Sequence, residues 1–455
     1  MPYLEADELT DIAEYYMTGR QDAKANEAIR AAIRMHPDSV DPQIFLARQK
    51  MYYDQLDEAR AIIDGISEQD DCEILYIRAE ILIKENRVNE ASDFLLAEMK
   101  QMQDCLDSYT YECLSIFMDY DLWEMADEWW NRLLDIDPEN PQLPIMKAEI
   151  LMGLDDYEEA LPMLQEILDN EPYNSEAWNL LAETYVALDM YSKALEASDF
   201  SLAINPQDSN ALLMKGNAYM NDERMGDAIE CYTRYLELQP DDFNVEISLG
   251  LCYSSEERHK EVLDLLDRAE QNAMRLRNKN AELTQVYQMR AYSLSRLERT
   301  AEAIAAIDQA IKLADDGQAW RLDLTKADIY LLSKQMKQAE ACFLNAIEKS
   351  TEKGDTLFNI ALIYSNQGYE DYAIELLDDV WTLFGTQDGK FVVPYLANCY
   401  MHKKDMENFL TYLKMAPYCD REATILLFRD RFPGIAPEDY YAYAYKEIYG
   451  IFPKE

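Results

Sequence analysis

Apolar residues recur at helical spacing in short stretches that polar turns separate. In residues 177–195, AWNLLAETYVALDMYSKAL, the side chains of Leu181, Tyr185 and Leu188 fall on one face of a helix. A second stretch with helical spacing, YSKALEASDFSLAI, follows directly after the short turn. The pattern predicts two helices joined by a tight turn.

Two small residues mark each helix pair and return about every 34 residues. The first recurs at Ala13, Ala47, Ala79, Leu114, Ala148, Ala182, Gly216, Gly250, Ala291, Ala327, Ala361 and Ala397. The second stands twelve residues later, at Ala25, Ala59, Ala91, Ala126, Ala160, Ala194, Ala228, Val262, Ala303, Ala339, Ala373 and Phe409. Small side chains let helix backbones approach closely. Since one pair cannot bury its apolar face alone, the sequence predicts about twelve stacked pairs.

A large residue after the first small position and a proline after the second helix complete the pattern. Together these residues resemble the signature of the tetratricopeptide repeat (TPR) family, at Trp178, Leu181, Ala182, Tyr185, Ala194 and Pro206, and again at Leu212, Gly216, Tyr219, Ala228, Tyr232 and Pro240. The resemblance extends from residue 6 to about residue 417. It implies an all-α fold, a TPR-like α-solenoid in which helix-turn-helix repeats form a right-handed superhelix.

The spacing of the repeats predicts three segments. Between Val262 and Ala303 it widens to 41 residues, through DRAEQNAMRLRNKNAELTQ, which contains neither glycine nor proline and predicts lengthened helices. We therefore expect an N-terminal array of about eight repeats at 1–270 and a C-terminal array of about four at 271–420. The tyrosine-rich residues 421–455 are expected to form a C-terminal helix that caps the last repeat.

The charge of the chain bears on its partners. With 42 basic and 88 acidic residues, the net charge is −46. Such a field repels phosphates and anionic lipid headgroups, so we expect no nucleic-acid partner and no membrane partner. The one basic spot is Arg275, Arg277 and Lys279. The acidity favours a basic partner, although a merely solvated acidic surface is an equally open interpretation.

Several features predict a cytoplasmic protein. The first residues, MPYLEADELTDIAEYYM, lack the basic and apolar regions of a signal peptide, and no apolar run reaches membrane-spanning length. Eight cysteines are scattered without a C-x-x-C pair. In a chain without a secretory signal, that distribution is typical of free thiols in a reducing compartment.

No constellation of residues predicts catalysis. The three histidines, His36, His259 and His402, stand in different repeats near predicted helix ends, without a metal-ligand cluster around them. Glycine-rich phosphate-binding loops and the nucleophile motif G-x-S-x-G are absent from the sequence. We expect no catalytic residue, no cofactor and no metal site, and hence a protein that is not an enzyme.

The resemblance also implies where a partner would bind. TPR arrays form a concave groove from their first helices, and that groove takes a peptide or helix. The positions one and four residues after the first small residue should face it, and in this chain they are rich in methionine and glutamate. At these positions the expected groove residues are Met17, Met51, Glu80, Met118, Glu149, Met152, Glu183, Asn217 and Met220. Asn179, four residues before Glu183 on the same first helix, is added to them. The alternative for the methionines is packing between neighbouring first helices.

The favoured function is therefore a non-catalytic scaffold or adaptor for protein–protein interaction. Its partner would be a protein or peptide, basic and amphipathic, held in the groove. One alternative is a self-associating structural protein, such as a homodimer, whose C-terminal tail docks into a groove. The other is a helical-repeat enzyme or RNA binder, for which the basic spot is the sole local support.

Overall fold

A computed structural model describes residues 4–18, 21–37, 39–67, 71–102, 104–275, 279–315 and 317–453 of the protein. Throughout these residues the secondary structure is helical, with no strand. The all-α fold predicted from the sequence is confirmed. Contacts divide the chain into two compact units, Met1–Leu238 and Gln239–Glu455, which are described separately below.

The unit Met1–Leu238 contains fourteen α-helices in its described residues. They are α1 Ala6–Thr18, α2 Asp22–Met35, α3 Asp41–Tyr52, α4 Leu56–Gly65, α5 Cys72–Lys84, α6 Val88–Glu98, α7 Leu106–Asp119, α8 Trp123–Ile136, α9 Leu143–Gly153, α10 Tyr157–Asn170, α11 Ser175–Ala187, α12 Tyr191–Ile204, α13 Ser209–Asn221 and α14 Met225–Leu238. Each odd-numbered helix packs on the even-numbered helix that follows it. Consecutive hairpins stack, because α1 contacts α3, α3 contacts α5, α9 contacts α11 and α11 contacts α13.

The unit Gln239–Glu455 contains twelve α-helices in its described residues. They are α15 Phe243–Ser255, α16 His259–Ala273, α17 Lys279–Arg296, α18 Thr300–Leu313, α19 Ala319–Leu332, α20 Met336–Lys349, α21 Lys353–Asn366, α22 Glu370–Asp388, α23 Val393–His402, α24 Met406–Cys419, α25 Arg421–Phe428 and α26 Tyr440–Tyr449. Hairpins form again from α15 to α24, and α17 contacts α19, which contacts α21.

Burial of the small residues confirms the register predicted from the sequence. All twelve second-helix positions, from Ala25 to Phe409, are fully buried, and so are the first-helix alanines. A repeated turn explains the constant twelve-residue interval between them. In that turn a residue with positive φ ends the first helix, and the amide of the next residue donates to a carbonyl five residues earlier, as Met190 N does to Tyr185 O at 2.8 Å.

Eleven hairpins of the described chain share this turn. Its left-handed residues are Asp54, Asn86, Asp121, Asp155, Asp189, Glu223, Glu257, Glu298, Lys334, Gly368 and Lys404. The left-handed conformation costs free energy for residues with a side chain, and asparagine and aspartate adopt it most readily. Five of the first six turns accordingly use Asp or Asn there.

The last two helices cap the final hairpin. Helix α25 packs on α23 and α24, and α26 packs on α24. Phe428 and Tyr440 are buried in one cluster with Phe409 and Leu413 of α24, so the apolar face of the last hairpin is covered. The helical cap predicted from the sequence is confirmed, but it consists of two helices where one was predicted.

The widened spacing near residue 270 corresponds to a long helix. Helix α17 has 18 residues and α16 has 15. Of the predicted basic spot, Arg277 lies outside the described residues, and Arg275 Nη1 approaches Asp241 Oδ1 at 3.5 Å. The division into 1–270, 271–420 and 421–455 stays a prediction, beside the two compact units that divide at Leu238.

Candidate functional site

Two adjoining cavities form a groove on the first helices α7, α9, α11 and α13 of the N-terminal unit. Their volumes are about 470 and 520 Å³, and Glu149, Leu180 and Glu183 line both. We call this surface the acidic groove and define it by Met118, Glu149, Met152, Glu176, Asn179, Leu180, Glu183, Asp208 and Met214. Methionine and leucine, with Trp123 and Tyr157, supply the apolar surface of the two cavities. Six carboxylates line them, because Asp119 and Asp155 join the four acids of the definition.

The carboxyl of Glu149 has a strongly raised pKa. Burial is the main cause that raises the pKa of its carboxyl to about 7, and the neighbouring Glu176 and Glu183 add to the effect. Burial also raises the pKa of Glu183. Among the described residues no lysine or arginine lines either cavity. The nearby Lys147 is already paired with Asp127. The groove therefore has uncompensated negative charge.

Asn179 presents an unused acceptor in the acidic groove. Its Nδ2 donates to Asp208 Oδ2 at 3.1 Å, and Asp208 Oδ1 accepts from the Ala211 amide at 3.1 Å, capping α13. Asn179 Oδ1 is buried and finds no hydrogen-bond partner among the described residues. A ligand with an N–H donor can satisfy it.

Five of the ten predicted groove residues lie in the acidic groove, and the other five do not. Those inside are Met118, Glu149, Met152, Asn179 and Glu183. Met51 is buried in the core with Ala47 and Ile63, as the packing interpretation predicts, and Met17 is partly buried with its sulfur 3.6 Å from Gln49 Nε2. Asn217 Oδ1 accepts from the Tyr232 hydroxyl at 2.8 Å, and that hydroxyl also lies 3.7 Å from Met220 Sδ.

Glu80 belongs to a separate network that already satisfies its charge. Its Oε1 lies 3.3 Å from Arg48 Nη1, and its Oε2 accepts from the Tyr120 hydroxyl at 3.0 Å. Arg48 also pairs with Glu73 at 2.7 Å. Burial raises the pKa of Glu80, although Arg48 and Tyr120 oppose the shift. Glu80 therefore stabilises the stack of α3, α5 and α7 and has no free carboxylate to offer a partner.

A second groove lies on α15, α17, α19 and α21 of the C-terminal unit. Its volume is about 730 Å³. We call it the neutral groove and define it by Leu251, Ser254, Gln285, Gln288, Met289, Tyr292, Trp320, Arg321, Leu324, Thr325, Asp328, Asn359, Leu362, Ile363 and Asn366. One basic and one acidic residue are the charged members of this lining. The neutral groove therefore differs chemically from the acidic groove.

The unit that contains the acidic groove is also the more acidic of the two units. Residues 1–238 hold 52 acidic and 17 basic side chains, whereas residues 239–455 hold 36 and 25. Most of the excess negative charge thus belongs to the unit that contains the acidic groove.

Sequence models of the tetratricopeptide repeat match four segments of the chain. One model matches residues 131–184 and 151–199, and a second matches residues 209–242 and 284–316. The chain contains tetratricopeptide repeats in these segments. The number of repeats stays a prediction, since the matches cover part of the twelve hairpins. The acidic groove lies mainly on TPR segments that the models match.

Several solved structures are similar to this chain at low identity. A tetratricopeptide repeat protein from Parabacteroides merdae is 18% identical, with a TM-score of 0.40 over 56% of this chain and 98% of its own. The APC/C hetero-tetramer Cut9-Hcn1 is 15% identical, with a TM-score of 0.35 over 93% and 96%. YrrB, a TPR protein with an unusual peptide-binding site, is 16% identical, with a TM-score of 0.35 over 41% and 91%. No curated protein sequence matches the chain.

Sequence reasoning missed several residues of the acidic groove. Leu180 and Met214 occupy the same TPR position, two residues before the first small residue, so the register offered a signal for them. Asp208 stands just before α13 as its capping residue and belongs to no register position used in the prediction. Within the described residues, no helix is both long and apolar enough to cross a membrane, and no group of three or more His, Cys, Asp or Glu could hold a metal ion.

The Glu149→Gln variant should gain stability at high pH. The folded-state pKa is about 7 and the ordinary value is 4.5, so between these values the folded protein holds a proton that the unfolded chain has lost. The free energy of unfolding therefore falls as pH rises through that window. Solvent around the half-buried carboxyl reduces the effect. We expect the free energy of unfolding of Glu149→Gln, relative to that of the unchanged protein, to be about 1 kcal/mol more favourable at pH 8 than at pH 5.

Thermal unfolding followed by circular dichroism at both pH values measures this difference. Glu159→Gln, at an exposed position of α10, is the matched control. An equal change in Tm for Glu149→Gln at the two pH values would contradict the raised pKa.

Proposed function

We propose that this TPR protein is a non-catalytic interaction scaffold that binds a basic, amphipathic segment of a protein partner in the acidic groove. The observation that carries the proposal is the composition of that groove. Apolar Met118, Met152 and Leu180 lie beside Glu149 and Glu183, and no basic side chain among the described residues compensates the two acids.

The proposed partner follows from complementarity. Methionine is flexible and polarisable, and it packs against apolar side chains of varied shape. Carboxylates between such apolar positions favour Lys or Arg on the partner. An amphipathic helix or extended peptide with apolar anchors and intervening basic residues meets both requirements. The eight free cysteines support a cytoplasmic location for this interaction.

Reversing the two central charges should abolish most of this binding. The probe is a fluorescein-labelled synthetic peptide in which leucine pairs alternate with lysine, titrated into the full chain and followed by fluorescence anisotropy. We expect the double variant Glu149→Lys, Glu183→Lys to bind about tenfold more weakly or worse, which corresponds to about 1.4 kcal/mol. Glu80 is left intact because its reversal would break the pair with Arg48.

A matched control separates the groove from net charge. The double variant Glu159→Lys, Glu196→Lys changes the total charge equally at exposed positions of α10 and α12, on the same hairpins. We expect it to change the affinity far less than the groove variant. If both double variants weaken binding to the same extent, the peptide responds to overall charge, and the acidic groove is not its site.

A further inference from the structure

We propose that Cys72, Met102 and Cys105 form a binding site for a soft, thiophilic metal ion, Cu(I), between two consecutive hairpins of the N-terminal unit. We call these three residues the sulfur cluster. The proposal goes beyond the scaffold function, because the cluster shares no residue with the acidic groove and takes an ion instead of a protein segment. It depends on the contacts between the sulfur atoms, their placement by the backbone, their access to solvent and their type.

The sulfur atoms of the cluster lie within hydrogen-bonding distance of one another around Cys72. Cys72 Sγ donates to Met102 Sδ at 3.8 Å, and the Cys105 thiol is a second hydrogen-bonding neighbour of Cys72. A metal–sulfur bond is about 2.3 Å long, so two sulfurs that share one ion at a trigonal angle stand about 4 Å apart. The separation of Cys72 and Met102 therefore already fits a shared ion.

Two stacked hairpins bring the cluster together. Cys72 is the first residue of α5, and Cys105 directly precedes α7, where its carbonyl oxygen accepts from the Tyr109 amide at 2.9 Å. A short turn, in which the Cys105 amide donates to the Met102 carbonyl oxygen at 3.1 Å, carries Met102 to the same end of the stack. Helices α5 and α7 contact each other, so an ion in the cluster links hairpin α5–α6 to hairpin α7–α8.

A pair of tyrosines holds the two helix starts in place. Tyr76 lies one helical turn after Cys72 on α5, and Tyr109 lies one helical turn after Cys105 on α7. Both side chains are buried, their ring centroids are 5.6 Å apart, and the Tyr109 hydroxyl donates to the Leu95 carbonyl oxygen at 3.0 Å. Ligands that start from helix ends fixed in this way bind an ion with little reorganisation.

The sulfur cluster is accessible from solvent, because Cys72, Met102 and Cys105 are all only partly buried. Burial and then the neighbouring Cys105 raise the pKa of the Cys72 thiol, so Cys72 stays protonated without a metal. A bound cation reverses this preference, because a thiol that coordinates it is deprotonated outright. Cu(I) therefore replaces the two thiol protons, which pass to solvent, and its charge offsets the repulsion between the two thiolates.

The donor types select Cu(I) over zinc. Thiolate and thioether sulfurs are soft ligands that suit Cu(I), whereas structural zinc takes four ligands from cysteine, histidine and carboxylates. Within the described part of the chain, no group of three or more His, Cys, Asp or Glu could complete a zinc site. Two cysteines and one methionine supply three soft donors, a set that suffices for a closed-shell ion of low coordination number.

Titration of the reduced full chain with Cu(I) against the coloured chelator bicinchoninate tests the proposal. We expect the chain to withdraw a single equivalent of Cu(I) from the chelator. Cys72→Ser and Cys105→Ser should each abolish this uptake, and Met102→Leu, which nearly keeps the side-chain volume, should weaken it by about tenfold or more. Cys419→Ser is the matched control, since Cys419 is also partly buried but lies at the end of α24, and it should leave uptake unchanged.

Thermal unfolding gives a second readout, which does not depend on the chelator. Because the ion binds the folded chain across two hairpins, a single equivalent of Cu(I) should raise the Tm of the unchanged protein and of Cys419→Ser, but not that of Cys72→Ser. The proposal is overturned if the chelator keeps all the Cu(I), if Cys419→Ser loses uptake as the cluster variants do, or if the chain holds Zn(II) in preference to Cu(I).

A redox pair is the alternative role for the two cysteines. If the reduced chain takes up no Cu(I), and oxidised glutathione joins Cys72 to Cys105 with release of two molecules of reduced glutathione, the metal site is disproved in favour of a disulfide. None of these outcomes bears on the affinity of the acidic groove for its peptide, so the metal site and the proposed function succeed or fail separately.

Discussion

Replacing Trp129 with alanine is expected to lower the free energy of unfolding of the N-terminal unit by about 3–5 kcal/mol. Trp129 of α8 is fully buried, and its ring stacks on Phe117 of α7 with centroids 6.0 Å apart. Its Nε1 donates to Ser92 Oγ of α6 at 3.1 Å. The substitution leaves a cavity among three helices and a buried hydroxyl without its donor, and both effects destabilise the fold.

Urea unfolding followed by far-UV circular dichroism measures this loss, and two variants divide it. Trp129→Phe keeps most of the ring but not the hydrogen bond, and Ser92→Ala removes the hydrogen bond but not the ring. Each should cost about 1 kcal/mol, clearly less than Trp129→Ala. Because stability in a stacked array is nearly a sum over repeats and their interfaces, the loss should affect the hairpins around α5 to α8 first. An unchanged urea midpoint for Trp129→Ala would contradict this packing.

Most of the fold could be predicted from the sequence because small residues leave a strong signal. Ala182 and Ala194 bury fully where the pattern places them, and the same interval fits every other hairpin of the described chain. The geometry of the turn was not predicted beyond its polarity. Asp189 adopts positive φ there, and the hydrogen bond from Met190 fixes the interval between the helices. The aspartates at this position in successive repeats could have predicted the left-handed residue of the turn.

The groove was harder to predict because register alone does not determine exposure. The fourth residue after the first small residue can either pack between neighbouring first helices or line the groove. Met51 is buried at this position, whereas Met118 lines a cavity. Arg48 and Glu80 occupy the same position in consecutive repeats, directly after Ala47 and Ala79. Side chains at this shared position lie next to each other in neighbouring repeats, so the opposite charges of Arg48 and Glu80 predict their ion pair.

The neutral groove left no comparable trace in the sequence. Its amides are spread over residues 285–366, and amides are ordinary surface residues when seen one at a time. Stacking of α17, α19 and α21 brings Gln285 and Asn366 to one cavity, and this convergence depends on packing between repeats. Leu251 and Tyr292 stand directly after a first small residue, at a position predicted to face the groove. They are neither methionine nor glutamate, the residue types on which the groove prediction depended.

Gly216→Leu is expected to lower the free energy of unfolding of the N-terminal unit by roughly 2–4 kcal/mol through overpacking. Gly216 of α13 is buried, and a Cβ at this position would lie 2.6 Å from Tyr232 Cε1 of α14. The Tyr232 ring is fully buried, and its hydroxyl donates to Asn217 at 2.8 Å. The ring cannot move aside without losing that bond, so the two helices must separate.

Gly226→Leu is the matched control within the same hairpin. A Cβ on Gly226 of α14 meets no atom within 4 Å, and leucine is the better helix former by about 0.8 kcal/mol, so this variant should be neutral or slightly more stable. If α13 and α14 are held together by close approach at Gly216, the urea midpoint falls for Gly216→Leu and stays the same or rises slightly for Gly226→Leu. Equal midpoints would mean that the backbones do not depend on a small residue there, and the same argument would then fail for the alanines at this position in the other repeats.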